Sequence, residues 1–162
     1  MQEILEILEI LEKNGRASVE EIALMLDKTV DEVQAMIKKL EEDNVIVGYN
    51  TLINWDKSNK ETVVALIEVR VTPQRGRGFD QVAERIYRYP QVKACYLMSG
   101  GFDLTVIVEG KTMKEVALFV AEKLAPLESV VSTSTHFVLK RYKDEGVIFE
   151  ESNKDDREAL IL

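Results

Sequence analysis

The sequence predicts an α+β protein of two domains: three short helices, followed by a unit of order β-α-β-β-α-β. Two capping boxes of the form Ser/Thr-x-x-Glu lie within the first 35 residues and predict helices there. Three later segments alternate apolar and polar residues at period two and a fourth, residues 93–98, is mostly apolar or aromatic, and both patterns are typical of strands. Two segments of helical spacing separate them, and this order is that of a ferredoxin-like unit.

Length and composition restrict the function classes. The chain has 162 residues, 46% of them hydrophobic, and a net charge of −8. We expect it to fold, and an acidic balance disfavours generic nucleic-acid affinity. No apolar run is long enough to cross a bilayer, and the start, Met1–Ile4, lacks the basic residues of a signal peptide. The only cysteine, Cys95, is interpreted as a reduced thiol in a cytoplasmic protein. With His136 as the only histidine, we expect no metal site and no cofactor.

The first predicted helix carries a three-residue repeat, Glu-Ile-Leu, over residues 3–12. At 100° per residue, one face collects four apolar side chains and two more widen it. We expect this broad face to bury one side in the domain and to offer the other to a partner subunit. Asn14 and Gly15 predict a left-handed helix end. The four apolar residues are Ile4, Ile7, Leu8 and Leu11, with Leu5 and Ile10 beside them.

Two capped helices follow with almost no spacer. Ser18 with Glu21 and Thr29 with Glu32 form the capping boxes, and only Asp27-Lys28 lies between the helices. Helices joined so tightly cross steeply, as in helix-turn-helix units. The apolar, β-prone residues 45–53 then predict a short wing or linking strand.

In such a unit, outward residues at the start of the last helix reach base edges in the major groove, and lysines one turn on meet phosphates. Residues 1–60 nevertheless hold 7 basic and 13 acidic side chains, a net charge of −6. Asp31 and Glu32 would be repelled by phosphate. Either the basic groups cluster on the docking face, or DNA binding is weak, effector-dependent or lost. The candidate DNA-binding residues are Thr29, Asp31, Gln34, Ala35, Lys38 and Lys39.

The second domain begins after a polar linker, residues 55–62. Strands are predicted over 63–72, 93–98, 104–110 and 129–139, with helices beginning at Phe79 and Thr112. The loop Arg75–Gly78 lacks the remaining glycines and the lysine of a phosphate-binding loop, so we do not expect a nucleotide site. Both helices should cover one sheet face. We expect the uncovered face to carry side chains such as Ala65, Tyr96, Thr133 and Phe137, and to pair with a second copy.

A glycine turn joins the two middle strands. Gly100 and Gly101 follow one strand, and Asp103 stands at the start of the next. A carboxylate there can accept from backbone N–H groups or face the ammonium of a ligand. On its own this pattern is more often that of a simple hairpin with an acid on its rim.

Three segments together resemble the Lrp/AsnC (feast/famine) family of transcriptional regulators over about residues 1–143. They are the helical stretch 29–46 with Gly48-Tyr49, the turn Ser99–Leu104, and the last strand 133–139 with Lys143 downstream. The turn looks like the family's small-Gly-x-x-Asp motif. Met36 and Asn44 depart from the arginine and glycine that the family usually carries at those positions.

The resemblance implies a winged helix-turn-helix (1–54), a linker (55–62), an effector-sensing and dimerisation domain of ferredoxin-like, RAM-type fold (63–143) and an acidic C-terminal tail (144–162). It implies a cytoplasmic regulator that binds double-stranded DNA, forms dimers that often build octamers, and takes a small effector, commonly an amino acid, between sensing domains. Exposed N–H groups of the glycines suit a carboxylate, and Asp103 suits an ammonium. The implied effector-binding residues are Ser99, Gly100, Gly101, Asp103, Thr133 and Thr135.

Two other functions remain open at this stage. Siroheme decarboxylases share the two-domain build, but such an enzyme needs histidines or arginines to hold carboxylates and move protons, and His136 is the only histidine. A sensor or adaptor that keeps the effector site and has lost DNA binding is favoured by the acidic first domain. The regulator is the expected function, with no catalytic residues assigned.

Overall fold

The computed structural model describes residues 2–73 and 78–149. The chain divides into two compact units, residues 1–53 and residues 54–162, and each is described by itself below. The candidate phosphate loop at Arg75–Gly78 falls mostly on residues 74–77, which lie outside the described ranges.

The first unit consists of three helices: α1 Gln2–Lys13, α2 Val19–Met25 and α3 Val30–Glu42. Each packs one apolar stripe into a common core, as the helical spacing predicts. Both capping boxes are confirmed, with Ser18 and Thr29 at the N-cap positions of α2 and α3. The buried core residues are Ile7, Ile22, Ala23, Val33, Ile37 and Leu40.

The predicted left-handed end of α1 is wrong. The helix ends where Asn14 and Gly15 predict, but Gly15 does not adopt a positive φ. The Asn14 side chain accepts a hydrogen bond from the Arg16 N–H (3.1 Å), the Asn14 carbonyl accepts one from the Ala17 N–H (3.0 Å), and these two bonds close the turn. The left-handed residues that follow helices are Asp27 (φ 53°) after α2 and Asn44 (φ 55°) after α3. Both are of the residue types that tolerate this conformation without glycine.

The predicted strand at residues 45–53 does not form in the single chain. The N–H groups of Val45 and Ile46 both donate to the Leu40 carbonyl (2.9 and 3.0 Å), and these hydrogen bonds close the C-terminus of α3. Tyr49 donates to Glu41 through its hydroxyl (2.8 Å). A strand needs a neighbouring backbone to take its hydrogen bonds, and β propensity alone does not supply one.

The second unit is a four-stranded antiparallel sheet of order β2-β3-β1-β4. The strands are β1 Val63–Val71, β2 Val92–Leu97, β3 Leu104–Gly110 and β4 Val130–Phe137. Helices α4 Asp80–Tyr87 and α5 Met113–Phe119 connect them, and a π-helical turn, Val120–Leu124, extends α5. A 3₁₀ turn, Trp55–Lys57, lies within the predicted linker. The predicted β-α-β-β-α-β order is confirmed.

Both helices pack on one face of this sheet, against Ala65, Ile67, Val69 and Val71 of β1. Residues directly opposite each other in antiparallel strands share a face. Phe137, Thr135 and Thr133 lie opposite Ala65, Ile67 and Val69. The expectation that Ala65, Thr133 and Phe137 would line the uncovered face is therefore wrong, whereas Tyr96, opposite Thr105, does lie there. The uncovered face carries Tyr96, Thr105, Glu68 and Ser134 in one row and Ala94, Ile107, Leu66 and His136 in the next.

The first residues of the expected acidic tail are ordered. Strands β5 Lys143–Asp144 and β6 Val147–Ile148 form a hairpin, with Gly146 at φ 77° in its turn. Residues 150–162, the rest of that segment, lie outside the described ranges. In the part of the chain that is described, no helix has the length and apolar character needed to cross a bilayer.

Candidate functional site

The turn between α2 and α3 is held by side-chain hydrogen bonds to the backbone. The Thr29 N–H donates to Glu32 Oε2 (2.9 Å), and the Glu32 N–H donates to Thr29 Oγ1 (3.3 Å). The Thr29 hydroxyl also donates to Glu32 Oε2 (2.7 Å). Thr29, a predicted DNA contact, therefore already uses its hydroxyl to cap α3.

The capping box also changes the electrostatics of Glu32. Hydrogen bonds from the Thr29 backbone and hydroxyl lower the pKa of the Glu32 carboxyl. The carboxylate lies at the N-terminus of α3, where the partial positive charge of the helix favours it. One of the negative charges counted at the predicted DNA-binding turn, the Glu32 carboxylate, is thus already hydrogen-bonded at the N-terminus of α3.

The other predicted DNA contacts form one exposed stripe on α3. Counted from Asp31, the residues three, four and seven positions further on share its side of the helix, and Lys39 lies beside them. These residues are Gln34, Ala35 and Lys38. The opposite side of α3 holds the buried residues of the core, so the stripe points away from the domain. Lys38 makes an exposed ion pair with Glu42 (3.7 Å), which is weak enough to exchange for a phosphate.

The first unit remains strongly acidic. Residues 1–53 contain 5 Lys and Arg against 12 Asp and Glu, a net charge of −7. Lys28 binds Glu3 at 2.8 Å, and this hydrogen bond raises the pKa of the Lys28 ammonium. Four of the acids belong to α1, whose inner face packs on the same core from a different side than α3.

The glycine turn spans Met98–Asp103 and closes the β2–β3 hairpin, with Gly100 at φ 140°. Space around Gly100 and Gly101 is open to at least 4 Å from each ideal Cβ position. The Met98 N–H donates to the Asp103 carbonyl (2.8 Å), which fixes the turn. Ser99, Gly100 and Gly101 are exposed at this end of the sheet.

Asp103 ties the turn to β1. Its N–H donates to the Val69 carbonyl (3.1 Å), and its Oδ2 accepts from the Val71 N–H (2.8 Å). The predicted use of this carboxylate as an acceptor for backbone N–H groups is confirmed. The half-buried carboxylate has a second oxygen, Oδ1, with which a ligand ammonium could pair.

Thr133 and Thr135 do not adjoin the glycine turn within one chain. They lie on β4, on the helix-covered face, and β1 separates β4 from β3. Two strand spacings amount to about 10 Å. The structure thus brings Ser99, Gly100, Gly101 and Asp103 together and leaves the two threonines apart from them.

Comparisons with known proteins agree with this architecture. The sequence model of the Lrp/AsnC ligand-binding domain matches residues 64–148, and that of a winged helix-turn-helix DNA-binding domain matches residues 4–47. The HTH-type transcriptional regulator YugG of Bacillus subtilis (strain 168) is 53% identical over 153 residues, which cover 94% of this chain and 92% of that protein. The chain belongs to the Lrp/AsnC family.

Solved Lrp/AsnC structures have the same fold. AsnC of E. coli superposes with a TM-score of 0.67 at 16% identity, covering 87% of this chain and 93% of that one. A transcriptional regulator of Neisseria meningitidis, solved as a complex with L-Met, superposes with a TM-score of 0.69 at 22% identity, covering 89% and 92%. The fold predicted from the sequence is confirmed, and so is the resemblance to the Lrp/AsnC family.

The sequence reasoning missed one polar cluster of this Lrp/AsnC chain. On the uncovered sheet face, His136 Nε2 lies 3.6 Å from Glu68 Oε1 and 3.3 Å from Ser134 Oγ. The alternation along β4 already separated Ser134 and His136 from the threonines, but the strand register was needed to add Glu68 from β1. Because both partners approach the same ring nitrogen, the cluster lacks the relay of a catalytic triad, in which the two nitrogens have different partners.

Within residues 2–73 and 78–149, no three side chains of His, Cys, Asp or Glu come close enough together to hold an ion. Burial raises the pKa of the Cys95 thiol, so at neutral pH it is a poor metal ligand and a poor nucleophile.

Proposed function

We propose that this protein is a transcriptional regulator whose affinity for operator DNA changes when a small effector, an amino acid, binds in its sensing domain. Family membership establishes a DNA-binding regulator with a ligand-binding domain. The effector and its influence on DNA binding are the proposal. The observation that carries it is the glycine turn, where exposed glycines and a half-buried carboxylate lie within four residues.

The chemistry of the turn suits an amino acid. The N–H groups of Gly100 and Gly101 can donate to a carboxylate, and Asp103 Oδ1 can accept from an ammonium. The bond from Val71 holds the Asp103 side chain in place before a ligand arrives, so less entropy is lost on binding. The fold neighbour from Neisseria meningitidis was solved with L-Met, which supports the same ligand class here.

Pairing of two subunits completes the proposal. The uncovered sheet face exposes Tyr96, and Leu66 and Ile107, both half-buried, lie side by side in the next row. A second copy placed on this face would bury these apolar groups. Thr133 and Thr135 lie on the helix-covered face, so this pairing does not bring them to the glycine turn of the partner. Dimers could associate further into octamers. We place the regulator in the cytoplasm, where DNA and amino acids are both available.

For DNA, the proposed reader is the exposed stripe of α3. Gln34 can pair with adenine, Lys38 and Lys39 can bind phosphates, and Ala35 can contact a thymine methyl group. The charges of α1 lie on a different side of the unit, and screening over about 8 Å at physiological salt weakens their effect on the stripe. In a dimer, two such helices must lie about 34 Å apart, one turn of DNA, to read successive major grooves.

The test is a titration of fragments from the protein's own promoter region at a stated low salt concentration, with and without amino acids. We expect saturable binding that one or a few amino acids strengthen or weaken, and that loses affinity when Lys38 and Lys39 are both replaced by alanine. A matched control replaces Lys57 and Lys60, which lie outside the first unit, by alanine. Absence of binding at low salt under every condition would contradict the proposal.

A second function is favoured by one observation, the net charge of −7 in the first unit. A sensor that retains the effector site and binds a protein partner in place of DNA would fit such a surface. The same titration separates the two functions, because this sensor would bind the amino acid and leave the DNA fragments free.

A further inference from the structure

The turn between α2 and α3 carries a lysine whose charge is already paired. Lys28 Nζ lies 2.8 Å from Glu3 Oε1, and the Lys28 side chain is only 17% exposed. Glu3 differs in this from the other three acids of α1, because its carboxylate reaches the turn that precedes α3. Lys28 lies outside the exposed stripe of α3, and no sequence pattern identified it as a DNA contact.

The position of Lys28 places it beside the proposed DNA-binding surface. It immediately precedes Thr29, the N-cap of α3, and lies three residues before Asp31, where the exposed stripe begins. A recognition helix about 10–12 Å wide fills a major groove of about 12 Å. The turn before its first residues therefore lies at the edge of the groove, where a side chain as long as lysine reaches the phosphates.

The Lys28 ammonium is not needed to hold the turn. The Lys28 N–H donates to the Ala23 carbonyl (2.9 Å), and the Thr29 capping box fixes the residues that follow. Asp27 adopts the left-handed conformation of the turn (φ 53°). Because none of these contacts uses the lysine side chain, the ammonium can change its partner while the turn stays in place.

Glu3 is a partner that can be displaced. Its side chain is 54% exposed and belongs to the first turn of α1. Ion pairs between exposed groups contribute little to stability, and a phosphate offers an ammonium the same kind of anionic oxygen as a carboxylate. Lys38 has a similar arrangement with Glu42, at 3.7 Å. Two of the five basic residues of the first unit are therefore paired with acids that DNA can replace.

We propose that Glu3 competes with DNA phosphate for the Lys28 ammonium, an inference that rests on the proposed docking of α3 in the major groove. Lys28 is then a phosphate contact that Glu3 occupies in the absence of DNA. Before this contact forms, a carboxylate has to leave, so Glu3 lowers the affinity for DNA. The effect does not depend on base sequence, because phosphate contacts carry no sequence information directly.

Fluorescence anisotropy tests the competition, with the full-length protein and labelled duplexes at several stated salt concentrations. The probes are the promoter fragments and a duplex of unrelated sequence. We expect Glu3→Gln to tighten binding to both about two- to fivefold, which corresponds to the loss of one exposed ion pair. The matched control, Glu9→Gln, removes the same charge from an exposed position of α1 and should change the affinity less.

Variants of Lys28 separate this competition from general electrostatics. Lys28→Gln should weaken binding and reduce the slope of log affinity against log salt concentration by about 1, whereas Lys28→Arg should keep that slope. Glu3→Gln should gain nothing in the Lys28→Gln background. The comparison of Glu3→Gln with Glu9→Gln needs no Lys28 variant, so it decides the matter even if Lys28→Gln folds poorly.

A purely structural ion pair predicts the opposite sign, since its loss would loosen the turn and weaken binding. The competition is overturned if Glu3→Gln binds DNA more weakly than, or as tightly as, the unaltered chain. It is also overturned if Glu9→Gln has an equal effect, or if the gain persists in the Lys28→Gln background. An unaltered chain that binds no duplex at low salt contradicts the proposed function itself, and the competition with it.

Discussion

Replacement of Asp103 separates its structural role from its proposed ligand-binding role. Asp103 Oδ2 accepts from the N–H of Val71, a buried residue at the end of β1. Asp103→Ala leaves that N–H without its acceptor, whereas Asp103→Asn keeps an acceptor oxygen and removes the negative charge. The two variants should therefore differ in stability and agree in ligand binding.

The size of the effect follows from the type of hydrogen bond. A hydrogen bond to a charged acceptor contributes about 1.5–3 kcal/mol, and a neutral one about 0.5–1.5 kcal/mol. We expect Asp103→Ala to lower the free energy of unfolding by about 2 kcal/mol and Asp103→Asn by about 1 kcal/mol. With a urea dependence of about 2 kcal/mol per M, the alanine variant should unfold at about 1 M lower urea.

Urea unfolding followed by circular dichroism measures this difference, with Glu128→Ala as a control at an exposed acid of the same unit. Both Asp103 variants should lose affinity for the effector, because neither can pair with its ammonium. Equal stability of Asp103→Ala and the unaltered chain would refute the structural role. Unchanged effector affinity in Asp103→Asn would refute the ligand role.

Three further predictions concern packing, pH and DNA. Gly110→Ala should lower the free energy of unfolding by about 1–3 kcal/mol, because the new Cβ would lie 2.9 Å from Cγ2 of the buried Val116. The control Gly101→Ala, at a position with open space around it, should change the free energy of unfolding little in the same urea experiment. Equal losses in the two variants would contradict this prediction. Because the pKa of Glu32 is lowered in the folded chain, the stabilisation by its carboxylate is fully present above the ordinary pKa of 4.5 and is lost as the pH falls through the lower folded value. Glu32→Gln should therefore melt at a lower temperature than the unaltered chain at pH 7 and at the same temperature near about pH 3. A difference in melting temperature that persists in acid would contradict the capping role. Asp31→Asn should strengthen binding to duplex DNA, because it removes a negative charge from the predicted contact surface. Lys39→Ala should weaken binding and reduce the slope of log affinity against log salt concentration by about 1. If neither variant changes the salt slope, the DNA contact lies elsewhere.

Local signals in the sequence were sufficient for helices α1 to α5 and for strands β1 to β4. The capping boxes at Ser18 and Thr29 depend on residues three positions apart, and the alternation in β3 depends on nearest neighbours. Such features are encoded within a few residues. They also fixed the β-α-β-β-α-β order, from which the sheet follows.

Features that depend on strand register could not be predicted in this way. Asp103 binds Val71, 32 residues away, only because β1 and β3 align as they do. The strand register was also needed to assign Thr133 and Ser134 to their sheet faces. Alternation along a strand places the two residues on opposite faces but does not show which face the helices cover. The side chain of Asn54, whose buried Oδ1 accepts no hydrogen bond from the described residues, likewise depends on segments from both ends of the domain meeting around it.

At residues 45–53 the local signal was present, but the strand that it predicted did not form. Their apolar, β-prone composition predicted a strand, but within the described residues this segment belongs to no strand and joins no sheet. Propensity gives the conformations that a segment tolerates, and a partner decides whether a strand forms. The segment exposes Val45, Val47 and Tyr49, which a second subunit could cover.

The central claim is that an effector in the second unit alters DNA affinity in the first, and linkage gives its most direct test. If an amino acid changes the dissociation constant for DNA by some factor, saturating DNA must change the dissociation constant for that amino acid by the same factor. Both constants can be measured by calorimetry at one fixed salt concentration. The account predicts equal factors of about 5–150, which disappear in Asp103→Asn. An amino-acid affinity that is the same with and without bound DNA would contradict it.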